Sequence, residues 1–113
     1  MAKAENTVAT SIGRAIADMR AKAGMTQDEV AAKLDIGPEA VSRMERGVAM
    51  PSIARLYELA ELFGCEAVYL LTVGSSHVDD QARHLKTMLE PLEIEDRELV
   101  MRLVEQLTER LQK

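Results

Sequence analysis

Residues 26–47 read TQDEVAAKLDIGPEAVSRMERG, and their order decides the fold. Thr26 and Glu29 stand three apart ahead of an apolar run. That is the reciprocal capping pair: the hydroxyl takes the Glu29 amide and the carboxylate reaches back to the Thr26 amide. Val30, Ala31 and Leu34 then form one apolar face over roughly two turns. Asp35-Ile36-Gly37 follows as a tight turn. Gly37 suits an N-cap and Pro38 the first helical position, where a missing N–H costs nothing. A second short helix runs from Pro38 to about Arg46, buries Val41 and Met44, and stops at Gly47.

Helices extend on both sides of this stretch. Upstream, Ile12, Ile16 and Met19 recur at helical spacing beside Ala15 and Ala23, and Gly24 is a C-terminal stop. Residues 1–9 read as a loose arm or a frayed helix start. Downstream, Ser52 caps a fourth helix with a buried face expected at Ile53, Leu56, Leu59, Ala60 and Phe63, ended by Gly64. Residues 66–71 suggest a short fifth helix. Residues 72–76, TVGSS, are the one small-residue stretch long enough for a linker. A cap signature over Ser76 to Asp79 opens a sixth helix marked by Val78, Ala82, Leu85 and Leu89, which Pro91 breaks. A seventh, from about Ile94 to Leu111, carries Leu99, Val100, Leu103, Val104, Leu107 and Leu111, a wide apolar stripe on a charged helix. The expected domains are 1–74 and 75–113, with no internal repeat.

Composition agrees with an all-α chain. Hydrophobic residues make up 47% of the 113 and aromatics 3%, so the core is built from Leu, Ile, Val, Ala and Met. No apolar run approaches the ~18 residues of a membrane span, and the first residues lack the apolar stretch of a signal peptide. Cys65 is the single cysteine, so no disulfide forms within the chain. A cytoplasmic setting is expected. The net charge of −5 counts against a nucleic-acid partner, because such affinity rests on neutralising phosphates. Residues 1–74 hold 8 Lys+Arg against 10 Asp+Glu, and 75–113 hold 6 against 9, so any cationic face must be a local arrangement.

Two short helices joined by a three-residue turn within a five-helix unit form a helix-turn-helix arrangement. Residues 11–71 resemble the Cro/repressor-type (Xre) helix-turn-helix family throughout. The carriers of the resemblance are Thr26-Gln27-Asp28-Glu29, Ala31, the run Val41-Ser42-Arg43-Met44-Glu45-Arg46-Gly47, and Pro51-Ser52. The resemblance implies a lambda-repressor-like five-helix DNA-binding domain, followed here by a two-helix dimerisation extension. It implies a transcriptional regulator, of repressor type, binding double-stranded DNA as a homodimer with the third helix in the major groove.

Carried over residue by residue, the resemblance puts Gln27 at the phosphate backbone, Glu39 and Arg43 at base edges and Arg46 near phosphates. Gly37, Pro38, Ala40 and Ser42 complete the expected DNA-facing set. Arg20 and Glu45 occupy positions that form an internal ion pair, a structural role. Glu39 has two readings of equal weight: acceptance from cytosine N4, or stabilisation of the helix N-terminus through its dipole. Leu99, Val100, Leu103, Val104, Leu107 and Leu111 are the expected dimerisation surface. His77 and His84 lack metal-ligand spacing, Cys65 reads as a small core residue, and no cofactor, metal or catalytic set is expected. Two other classes stay open: an antitoxin-type module holding a protein partner through its C-terminal helices, and a protein-binding adaptor on the same fold.

Overall fold

The computed structural model describes residues 2–112, with side chains from Val8 onward. Seven α-helices and no strands occur among them: α1 (Ala2–Lys22), α2 (Gln27–Leu34), α3 (Pro38–Glu45), α4 (Ile53–Phe63), α5 (Ala67–Thr72), α6 (Val78–Leu89) and α7 (Ile94–Leu111). None of the described helices is long and apolar enough to cross a membrane. The chain divides into two compact units, the first ending at Gln81 and the second beginning at Ala82.

The boundaries follow from local chemistry. Thr26 Oγ1 accepts from the Glu29 amide at 3.1 Å, and Glu29 Oε1 accepts from the Thr26 amide at 2.9 Å. The Thr26 amide, and after it the Thr26 hydroxyl, hold the Glu29 carboxyl below the ordinary carboxylate range. The cap therefore contributes fully near neutral pH and fades as the pH falls through that lowered value. Asp35 closes α2 in the left-handed region at φ 55°, and the Ile36 amide returns to the Ala31 carbonyl at 3.0 Å. Gly37 is the N-cap of α3 and Pro38 its first residue. Ser52 Oγ caps α4 by accepting from the Arg55 amide at 3.1 Å.

One core holds the first unit together. Ile12, Ala15 and Ile16 of α1 meet Val30 and Ala31 of α2, Val41 and Met44 of α3, four residues of α4 and Leu70 of α5. It contains no buried polar residue among those described. Burying each large aliphatic side chain stabilises the fold by about 1.5–3 kcal/mol. α1 is the central element and packs on α3, α4 and α5. Its crossing with α3 is close. A Cβ placed on Gly13 would lie 2.6 Å from the Glu45 carbonyl oxygen and collide with that of Met44.

Several expectations are corrected. α1 begins at Ala2, so of the two readings of the first residues, a loose arm or a helix start, the backbone takes the helical one. Ile53 is 73% exposed, whereas Leu56, Leu59, Ala60 and Phe63 are buried as expected. Ile53 is the first residue of α4 and lies about 60° around the helix from Leu56, at the edge of the apolar stripe. α5 starts and ends one residue later than expected. The stretch 72–76 is no free linker, because Gly74 lies so close to α1 that a Cβ there would meet Ser11 Cβ at 2.7 Å. Ser75, not Ser76, organises the entry to α6: its hydroxyl accepts from the His77 amide at 3.1 Å and donates to Asp80 at 2.7 Å.

The second unit is a helical hairpin. Arg97 ties its turn: Nε donates to the carbonyls of Leu89 at 3.0 Å and Leu92 at 2.9 Å, and Nη2 to that of Glu90 at 2.9 Å. These carbonyls belong to the end of α6 and the turn after it, where helical partners run out; that of Leu89 also accepts from the Leu92 amide at 3.0 Å. No residue of α6 or α7 is fully buried. Leu85, Leu89, Val100 and Val104 are half-buried, while Val78 and Ala82 are exposed.

The α1–α3 crossing makes a test with an unusual sign. Gly to Ala inside a helix ordinarily gains about 1 kcal/mol. Gly13→Ala should instead destabilise the protein by about 1–3 kcal/mol, because backbone carbonyls of α3 occupy the space. Chemical denaturation of the two chains measures it, and an equal or higher midpoint for Gly13→Ala would contradict the packing.

Candidate nucleic-acid interface

The site is built on α3, and α3 is held from behind. The Glu45 carboxylate, 7% exposed, receives Arg20 Nε at 2.6 Å and Arg20 Nη2 at 3.0 Å. This is a bidentate fork on a carboxylate, the strong form of the pair. Arg20 Nη1 also donates to the Met25 carbonyl at 2.9 Å. The bond to Glu45 raises the Arg20 guanidinium pKa above its ordinary value. Gln27 Nε2 adds a third donor to Glu45 Oε1 at 2.9 Å. One carboxylate thus joins the end of α1, the start of α2 and the end of α3.

With Val41, Met44 and Glu45 turned inward, the opposite side of α3 faces water. Glu39, Ser42, Arg43 and Arg46 share about 100° of that outer arc. Glu39, Arg43 and Arg46 are exposed and Ser42 is half-buried. Arg46 Nε donates to Ser42 Oγ at 3.2 Å, which steers that guanidinium along the helix. Glu39 makes no ion pair with Arg43, four residues on. Gly37, Pro38 and Ala40 are exposed around the N-terminal turn, whereas Gln27 is half-buried and bonded to Glu45 at the other end of α3. The structure therefore groups Glu39, Ser42, Arg43 and Arg46 on one face and ties the Gln27 side chain to the carboxylate behind α3. Leu99, Val100, Leu103, Val104, Leu107 and Leu111 belong to the second unit.

Two further groups join this side. A groove between α3 and the start of α4 is lined by Ala40, Arg43 and Met44 on one wall and by Pro51, Ser52 and Arg55 on the other. Arg55 is partly held by Glu58 at 3.2 Å. Ser52 was legible as a cap, but the sequence did not place it or Arg55 beside Arg43. The signal lay in the short loop after Gly47, which returns the chain to α3 at once. A helix of about 10–12 Å diameter with guanidinium groups on its outer face matches the ~12 Å width of a B-DNA major groove.

Two short helices, a three-residue turn and a polar outer face on the second helix define a helix-turn-helix module. Residues 16–70 match the sequence model of the family described as helix-turn-helix. An uncharacterised helix-turn-helix-type transcriptional regulator of Sinorhizobium fredii is 38% identical over 61 residues, 54% of this chain and 79% of that protein. The helix-turn-helix-type transcriptional regulator ImmR of Bacillus subtilis is 39% identical over 61 residues, 54% of this chain and 48% of its own. The cryptic phage CTXphi transcriptional repressor RstR of Vibrio cholerae is 25% identical over 92 residues, 81% of this chain and 83% of its own. A match of 92 residues in a chain of 113 reaches through α6 wherever it begins. The chain belongs to the Xre-type helix-turn-helix family of transcriptional regulators.

The anchor behind α3 can be tested by itself. Glu45→Ala leaves Arg20 and Gln27 without their acceptor, and should lower stability by about 2 kcal/mol, more than an ordinary surface change. Thermal unfolding of Glu45→Ala and Glu45→Gln checks it, with the isosteric Gln expected to lose less. An unchanged Tm for Glu45→Ala would show that the network does not hold α3.

Proposed function

We propose that this protein is a sequence-specific double-stranded DNA-binding transcriptional repressor that acts in the cytoplasm as a homodimer on a two-fold operator. The observation that carries the reading is the outer arc of α3, where Arg43 and Arg46 stand exposed while Glu45 fixes the helix from behind. Arg43 reads a base edge, most simply guanine. Arg46 and Gln27 lie near phosphates, as does Arg55 across the groove. Glu39 and Ser42 complete the contact surface, with Gly37, Pro38 and Ala40 letting the backbone approach. The protein works by occupying DNA and not by turning over a substrate. One relative being named a transcriptional repressor supports the sign of regulation.

The acidic balance supports the two-subunit form. With few cations on the first unit, each copy neutralises few phosphates and binds moderately by itself. Two linked copies on one duplex bind far more tightly than either alone, because the second docks at the effective concentration the first creates. The exposed apolar stripe of α7 supplies a surface for the pairing, with Leu99, Leu103 and Leu107 at its centre. Two copies of α3 would then sit one DNA turn apart, about 34 Å.

Gel-shift titration against the DNA upstream of its own gene, at matched salt, tests the reading. Arg43→Ala should cost about 1–3 kcal/mol of operator binding and relax specificity at one base pair, whereas Arg46→Ala should weaken all sequences alike. Wild-type affinity for Arg43→Ala would refute the docking. Sedimentation should give a dimer for wild type and a monomer for the Leu103→Asp, Leu107→Asp double variant. A wild type that is monomeric at micromolar concentration would refute the homodimer.

A further inference from the structure

One side of α7 is left uncovered. Val100 and Val104 are its half-buried apolar residues. Leu99, Leu103 and Leu107 are 51%, 52% and 57% exposed. Each four-residue step advances about 40°, so the three leucines form a nearly straight ridge along the helix. Asp96 lies seven residues before Leu103 and Arg110 seven after it. Seven residues make two turns less about 20°, so both charges lie within about 20° of Leu103 around the helix, one beyond each end of the ridge. Both are exposed, and neither has an ion-pair partner among the described residues.

We propose that α7 pairs antiparallel with α7 of a second copy about a two-fold axis at Leu103, so that Asp96 of each copy meets Arg110 of the partner subunit. The proposal rests on the homodimer reading and gives it a geometry. In this register Leu99 packs on Leu107 of the partner subunit and Leu103 on its own equivalent. Both ends of the ridge then carry an opposite-charge pair. A parallel pairing in register would set aspartate on aspartate and arginine on arginine, and would also align the two helix dipoles unfavourably. The charges therefore choose orientation and register, while the leucines supply the burial.

Cross-linking of the full chain in a Cys65→Ala background reads the geometry directly. Leu103→Cys should link to itself under mild oxidation. Leu99→Cys should not, because the two equivalent positions stand about 12 Å apart along the axis, beyond the Cα separation of roughly 7 Å a disulfide tolerates. A mixture of Leu99→Cys and Leu107→Cys chains, tagged to differ in size, should give the mixed dimer. Separately, Asp96→Arg should weaken dimerisation about tenfold, and Asp96→Arg with Arg110→Asp should restore it to within about threefold. Because both residues are exposed, these variants fold. Self-linking of Leu99→Cys, or a dimer that persists with none of the links, overturns the antiparallel pairing and leaves the homodimer standing. A wild type that sediments as a monomer overturns the homodimer itself.

Discussion

The carboxylate of Glu45 is the point on which three helices depend. It sits at the C-terminal end of α3, nearly out of contact with water, and takes three donors from α1 and α2. A carboxylate in that position needs partners, since an unpaired charge there would be costly. Arg20 supplies a planar fork that matches its two oxygens. Because Arg20 also holds the Met25 carbonyl, the turn between α1 and α2 is drawn into the same network. The hydrophobic core sets how the helices pack. This polar network fixes where α3 ends and which way it is rotated.

That rotation separates the two sides of α3. The inner side carries Val41 and Met44 into the core, and the bare α-carbon of Gly13 lets α1 lie against the final carbonyls of α3. The outer side carries guanidinium groups into solvent on a helix whose position is already determined. Little ordering remains to be done when such a helix meets a ligand, which is the general advantage of a preorganised surface. The second unit is built differently. Its two helices share too little apolar surface to bury any residue fully, and Arg97 stabilises the hairpin by bonding to the ends of α6.

The first unit was legible because its signals are local. Thr26 with Glu29, Gly37 with Pro38, and Ser52 each mark a helix start by chemistry within one turn, and Gly24, Gly47 and Gly64 mark stops by tolerating positive φ. The family resemblance spans the same stretch. What was not legible depends on distance or on edges. Ile53 fits the period of α4 but sits at the rim of its stripe. Residues 2–9 lack an apolar rhythm, so their helical backbone had no periodic signal. The bond from Gln27 to Glu45 crosses 18 residues of sequence, and spacing alone did not announce it. Arg97 reads as one more charge on an acidic helix until the turn before α7 brings three carbonyls to it.

The outer side chains of α3 take no part in holding the first unit together. Glu39 and Arg43 make no tertiary bond, and Arg46 reaches no further than Ser42 on its own helix. The packing of the first unit and the chemistry of its outer face are therefore carried by different residues of α3 and its C-cap. On the function proposed above, the outward residues would be exchangeable, and new DNA sequences addressed, at little cost in stability, whereas a change to an inward residue would be felt by the fold. Divergence of targets can then outpace divergence of the fold.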